Sequence, residues 1–524
     1  MQPSLQALRT VADGILPRVL TQVCRDPNSP AHGCFDRNWW HYKMRDFPSI
    51  ILQQGAYALW LAARLADSAE LKLALKSWSV AGAVFWNQRA GRRGAFEEYY
   101  PWEEGYPPLA FSTLAVMKLV ADGAVSGGMV RDGARVATRQ LLRRFEPRAA
   151  NQQVAGLAAL AWLGKNYPGS VSAAEFARLA DRTLALQSKE GWFMEYDGPD
   201  LGYLSVTMDC LWDLYDATGD GRFIESARRA AEFIRKLVVF YGGSIGMHNA
   251  RNTDYLATYG LARLGLDDCF GMLFSNADDH GHFFAAVDDR YWCHYLGHSV
   301  LRTLLLTSAR GSAENNEAAT TAADCDFAEA GYQLVTVSGG KLFLSPLKGG
   351  IFSLRFGNRT VVDLGWMVSL GKKSWVSHWW SPAWTWHGEA GKYVIQGRMA
   401  PHREMLSSPW KHLALRALSF CLGGKIIALL KNRLIFKNSG GALRFERTVI
   451  WSETSVTVSD RIFHVPPGAT VGRAPRSSKR HVASADSWHG EDAALNQGVT
   501  VKETHGQRGD IFSATTEYFI NRSD

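Results

Sequence analysis

EPRAANQQVAGLAALAWLG, residues 146–164, decides the fold. It opens as a polar, proline-containing loop. From Val154 to Leu163 it then holds only Val, Ala, Gly, Leu and Trp, with no charge on any helical face. A surface helix keeps a polar stripe, so a helix apolar almost all round must be enclosed on most sides. The same form, a decorated loop running straight into an apolar helix, recurs at 34–62, 94–120, 191–215, 242–264 and 282–306. Between these lie amphipathic stretches such as SAAEFARLADRTLALQ (172–187) and GRFIESARRAAEFIRKLV (221–238), whose charges leave a single apolar stripe. A self-similar unit of outer helix, loop and inner helix signals stacked hairpins. About six of them close into an (α/α) toroid over residues 1–307, with the decorated loops gathered at one mouth.

The period changes after residue 307. Residues 308–330 are poor in large apolar side chains and read as a linker. From 331 to 524 the period becomes two. In LRFERTVIW, Leu443, Phe445, Val449 and Trp451 share one face, with Glu446 and Thr448 on the other. Half-buried strands parted by Gly-rich turns predict an antiparallel β-sandwich. The tail beyond about 466 reads as loop-rich.

Composition narrows the function classes. The chain has 524 residues, a formal charge of +8 and 19 tryptophans. A basic surface favours an anionic partner, and aromatic rings both fill cores and stack on sugars. No Lys/Arg run resembles a nucleic-acid patch. The nearest, Arg473, Arg476, Lys479 and Arg480, reads as a solvated loop. No apolar run is long enough to span a bilayer, and the N-terminus reads as an amphipathic helix, not a signal peptide. The seven cysteines are scattered without a CxxC pair, which fits reduced thiols in a cytoplasmic protein.

Three short motifs carry no chemistry. GGSIG (242–246) lacks the strand-turn-helix setting of a nucleophile elbow, and GKKS (371–374) lacks the upstream glycine of a phosphate loop. His294 and His298 share a helical face downstream of His280 and His282. Without an HExxH glutamate they read as buried histidines before a structural metal, so no cofactor is expected.

What remains is a convergent set on the loops. The first loop offers Trp39, His41 and Tyr42; the second Glu98 and Tyr100; the third Asn151, Gln152 and Gln153. The fourth offers Asp197, Asp200 and Tyr203, and the fifth His248, Arg251, Asn252 and Tyr255. Helix capping accounts equally well for Asp46 and Asp200. It does not explain His41, Tyr203, His248 and Arg251 at one mouth. Removing the proton beside a carboxylate requires donors that offset the developing enolate charge, such as Asn, Arg or His. A positioned Tyr or His must then move the proton.

Both the architecture and two stretches resemble the heparinase II/III-like group and its alginate-lyase relatives. AANQQVAGLAALAWL (149–163) is similar to that family's Asn-rich start of an inner helix, and DGPDLGYLSV (197–206) to the stretch that carries its catalytic Tyr. The resemblance implies β-elimination on a uronate-containing polysaccharide. Asn151 would help neutralise the carboxylate, Tyr203 would be the general acid and base, and His378 or His387 would stand for the sandwich-side histidine. The chain departs from the pattern at Gln152 and Gln153, where the family often has His. A glycoside hydrolase using paired carboxylates from the second and fourth loops, a uronyl epimerase, and a non-catalytic glycan-binding or assembly protein fit the same residues. Each of these readings takes an acidic oligo- or polysaccharide as partner.

Overall fold

The computed structural model describes residues 3–519 apart from 92–95, 197, 267–268, 270–286, 311–322, 338–339, 357–358, 390, 403–407, 424–441, 453 and 476–499. Helix α1 (Pro3–Gln22) and the single turn α2 (Arg37–Trp40) precede α3 (Gly55–Leu65), α4 (Ala69–Gly91), α5 (Tyr106–Ala121) and α6 (Arg131–Arg143). Then follow α7 (Ala150–Asn166), α8 (Ala173–Leu184), α9 (Leu201–Thr218), α10 (Gly221–Tyr241), α11 (Tyr259–Arg263), the single turn α12 (Asp289–Trp292) and α13 (Tyr295–Arg310).

Helices α3, α5, α7, α9, α11 and α13 each pack on the next, and α13 returns to α3, so they form a closed inner ring. Helices α1, α4, α6, α8 and α10 lie outside it. The chemistry of the two sets explains the placement. In α7 every residue from Ala150 to Leu163 is buried, whereas α8 buries only Leu179, Ala180 and Thr183. Because the inner helices all run the same way, their N-terminal loops meet at one mouth. Toward the opposite ends of α5, α9 and α13, Lys118 and Arg302 close on the buried carboxylate of Asp213, with Arg302 Nη2 at 2.6 Å. Burial alone would raise the Asp213 carboxyl, but the two cations more than offset this and hold it below the usual range.

Beyond the toroid the strands form three antiparallel sheets. The first runs in sequence order from β1 (Cys325–Phe327) through β2 (Tyr332–Val337), β3 (Gly340–Ser345) and β4 (Ile351–Phe356) to β5 (Arg359–Asp363). The second joins β6 (Trp366–Leu370), β7 (Lys373–Val376), β10 (Ala400–His402) and β13 (Thr470–Arg473) in the order β10-β7-β6-β13. The third orders β14 (Thr500–Arg508), β15 (Ile511–Phe519), β12 (Ser455–Phe463), β11 (Arg444–Trp451), β9 (Lys392–Arg398) and β8 (Thr385–Glu389).

Several expectations need correcting. Residues 308–330 are not all linker: α13 runs to Arg310, and β1 packs Phe327 against Phe233 of α10, ring centroids 4.9 Å apart. The described part of the tail past 466 holds three strands. A helix, α14 (Pro409–Leu422), interrupts the β region. Arg473 is no solvated-loop residue: its Nη1 lies 2.9 Å from Asp363. Arg476, Lys479 and Arg480 lie outside the described residues. On β11 the apolar face of Phe445 and Val449 also carries Arg447, fully buried between Asp363 and Asp460 at 2.8 and 2.7 Å. Paired in this way, a buried charge is tolerated, because each guanidinium nitrogen finds an acceptor.

Among the described residues no helix is long and apolar enough to cross a membrane. Nor does any group of three or more His, Cys, Asp or Glu side chains there have the geometry to hold a metal. His294 and His298 are buried, and burial lowers both imidazoles, His294 to about 3. His280 and His282 lie outside the described residues.

Candidate functional site

At the mouth the loops lock to one another through buried carboxylates. Asp200 caps α9 by accepting the N–H of Tyr203 at 3.2 Å, and its other oxygen takes the N–H of Arg251 at 3.0 Å. It also accepts the Thr253 hydroxyl, so it ties the fourth loop to the fifth. Glu195 does the same for the third: its two oxygens accept the Asn151 backbone N–H and Nδ2, both at 2.6 Å. Burial raises both carboxyls above their usual range. The Asn151 amide therefore holds Glu195 in this structure. Gln153 is likewise occupied, accepting from the Tyr106 hydroxyl at 3.0 Å and the Glu146 N–H at 2.9 Å.

Tyr203 sits in the first turn of α9, 6 % exposed, inside a ring of phenols. The ring centroids of Tyr196 and Tyr255 lie 6.3 and 6.4 Å from its own, and the Tyr255 and Tyr295 hydroxyls are 3.0 Å apart. Burial keeps Tyr196, Tyr255 and Tyr295 above the usual phenol range, so all three stay protonated. The Arg251 guanidinium lies 4.5 Å over the Tyr196 ring, and its buried Nε has no hydrogen-bond partner among the described residues. Gln152 Nε2 donates to the Tyr196 hydroxyl at 2.9 Å. From the second loop, the Tyr99 phenol comes within electrostatic reach of Tyr203 and Tyr291. The neighbouring Glu98 charge raises it, although the residue itself is 59 % exposed. Glu103 accepts the N–H groups of Glu98 and Tyr99 at 2.5 and 2.8 Å. Burial and then the Glu98 charge push its carboxyl up to about 8.

The sheets complete the mouth with groups that sequence reasoning missed. Lys348, in the turn between β3 and β4, donates its ammonium protons to the Asn249 carbonyl and to Asn252 Oδ1. Burial lowers it to about 7, despite the opposing pull of Asp200. Trp380, between β7 and β8, rests on the fourth loop at Gly198, where an added Cβ would come within 2.6 Å of the indole. Its buried Nε1 has no partner among the described residues. The PLKGG turn around Lys348 carried one local signal, a lysine between apolar strand ends. Nothing in the sequence tells which loop such a lysine reaches.

Other candidates fall outside this cluster. His248 is buried beneath the mouth, its Nδ1 2.6 Å from the Ser345 hydroxyl and its Nε2 2.7 Å from that of Ser353. Burial, then Lys348, depresses its imidazole well below the usual value, so it is a neutral bridge between toroid and sheet, not an exposed base. Trp39 packs on Phe85 at 5.8 Å with Arg89 over both rings, filling a small core. His41 and Tyr42 are exposed beside each other, ring centroids 4.8 Å apart. Asp46 pairs with Arg416 of α14 at 2.6 Å, and Tyr100 faces His412 of the same helix at 6.4 Å. His378 is buried in the segment that carries Trp380. His387 lies exposed on the edge strand β8 with Glu389 at 3.4 Å. Asp197 lies outside the described residues.

No protein-family model matches the chain, and no curated protein matches it. Solved structures do. Chondroitin AC lyase of Streptomyces coelicolor A3, in complex with chondroitin sulphate, aligns with a TM-score of 0.51 at 9% identity, over 99% of this chain and 77% of that one. A mutant of the same lyase aligns at a TM-score of 0.47 and 10% identity over the same shares. An unsaturated glucuronyl hydrolase specific for heparin aligns at 0.38 and 11% identity, over 59% of this chain and 97% of that one. At these identities the likeness concerns fold: this chain has the helical toroid followed by antiparallel sheets that chondroitin AC lyase has.

Proposed function

We propose that the protein is a polysaccharide lyase that cleaves a uronate-containing acidic glycan by β-elimination. The observation that carries the reading is the environment of Tyr203. It is the phenol at the N-terminal turn of an inner helix, where the helix dipole favours negative charge. Around it stand protonated phenols, Gln152 and the Arg251 guanidinium.

In this reading the Arg251 N–H groups and the amide of Gln152 engage the uronate carboxylate and offset the charge that grows on it as the adjacent C–H bond breaks. Tyr203, as phenolate, takes that C5 proton. The electron pair forms the C4–C5 double bond, the C4–O4 bond breaks, and the new phenol returns its proton to the departing O4 oxygen. The proton count closes, and Tyr203 ends as it began. Asn151, Asp200 and Lys348 position the loops that hold these groups.

A second reading, hydrolysis, is favoured by Glu98 and Glu103, a carboxylate pair in which one member is raised to about 8 and so suits a general acid. The product separates the two readings. Elimination leaves an unsaturated uronate that absorbs in the ultraviolet, and hydrolysis leaves a new reducing end without that chromophore.

A further inference from the structure

On the outer face of the six-stranded sheet, the register sets two arginines side by side. Arg398 of β9 is the direct cross-strand partner of Arg444 of β11, and both side chains are exposed. Like charges directly opposite in a sheet repel. Neither guanidinium has an ion pair or hydrogen bond among the described residues. The next rung shows what a compensated pair looks like. There Gln396 donates to Glu446 at 2.7 Å, and Arg461 lies 3.7 Å from the same carboxylate. Both rungs line a groove of about 670 Å³ walled on one side by the half-buried Trp379, so the groove holds the two guanidinium groups against one carboxylate, Glu446, that is already engaged by Gln396. On the opposite face of the same strand Gly397 leaves the space that the Trp384 ring fills, 2.6 Å from where a Cβ would stand, so the strand is held firmly at the groove.

We infer that this groove is a second binding subsite for an anionic sugar, in which Arg398 and Arg444 share a uronate carboxylate or a sulfate while the Trp379 indole stacks on a sugar face. The inference rests on the glycan reading above and extends it. Trp379 belongs to the same segment as Trp380, which rests on the fourth loop, and the neighbouring Ser381 bonds the Leu347 carbonyl next to Lys348 at 2.8 Å. The segment that walls the groove thus also reaches the mouth, and in this inference a glycan long enough to leave the Tyr203 cluster follows it into the groove. Guanidinium forks match carboxylate and sulfate geometry, and a stacked indole adds sequence-tolerant contact with the ring.

The test compares two uronate oligomers, a disaccharide and an octasaccharide, by calorimetric titration of the full chain and of the Arg398→Gln/Arg444→Gln double variant. The octasaccharide is expected to bind about tenfold more weakly to the variant, with the disaccharide's affinity shifted less than twofold. Thermal unfolding of the variant should lie at or above that of the wild type, because the change relieves a repulsion. Unaltered octasaccharide affinity in a folded variant overturns the subsite, even where the wild type cleaves the polymer. Wild-type binding that is lost in the variant, with no cleavage of any polymer, supports the subsite and removes the lyase reading. Failure of the wild type to bind the octasaccharide removes both.

Discussion

Replacing Lys348 with Met tests whether the sheet-borne lysine at the mouth is neutral at working pH. The side chain is 3 % exposed, and its ammonium meets only neutral acceptors, the Asn249 carbonyl and Asn252 Oδ1. Burial lowers it from a lysine's ordinary 10.5 to about 7, with Asp200 opposing and Arg251 reinforcing the change. That difference corresponds to about 5 kcal/mol between the two protonation states. The folded protein holds this proton less tightly than the unfolded chain does. The penalty is thus fully present below about pH 7, shrinks as pH rises, and is gone above 10.5. Between pH 7.5 and 9.5 the wild type should gain about 2.5 kcal/mol of unfolding free energy relative to Lys348→Met. Denaturant unfolding of both proteins at the two pH values reads this difference. Lost hydrogen bonds to Asn249 and Asn252 shift both values alike and cancel. A difference that stays flat across the window would refute the neutral lysine and the dry mouth that produces it.

Two further outcomes follow from the same geometry. Asp213→Ala strands Lys118 and Arg302 as buried cations and should cost about 3–5 kcal/mol in urea unfolding; a loss below about 1 kcal/mol would mean that water reaches the toroid axis. Arg251→Ala should weaken binding of a uronate oligomer by roughly 10–100-fold, the worth of a charge-assisted bidentate contact, and equal affinities in a folded variant would exclude Arg251 as the carboxylate donor.

Much of the fold was legible because burial leaves strong periodic marks. The inner helices are apolar almost all round, the outer ones on a single stripe, and strands such as β11 alternate. The marks fail where burial does not follow apolarity. Strand β14, TVKETHGQR, is an edge strand exposed from Val501 to Arg508, so it carries no alternation. Arg447 interrupts the apolar face of β11 because two aspartates from distant strands neutralise it. Helix α14 leaves Trp410, Leu413 and Phe420 exposed, so its apolar residues did not mark a core.

The site was half legible for a related reason. Crowded polar residues at the loop-to-helix junctions pointed to the mouth, but their partners come from far along the chain. His248 reads as a base until Ser345 and Ser353 arrive from the sheet. Asn151 reads as a carboxylate donor until Glu195 takes its amide. Lys348 and Trp380 gain meaning only once the sheets fold onto the fourth and fifth loops.

The measurement that bears most directly on the central claim is a product assay on a panel of polyuronates and sulfated uronate polymers with wild type and Tyr203→Phe. At least one polymer should give a steady rise in ultraviolet absorbance from unsaturated uronate ends. The phenylalanine variant, folded to the same thermal midpoint, should lose on the order of 100-fold or more of that rate. New reducing ends without the chromophore, or a Tyr203→Phe rate equal to wild type, would contradict elimination at Tyr203.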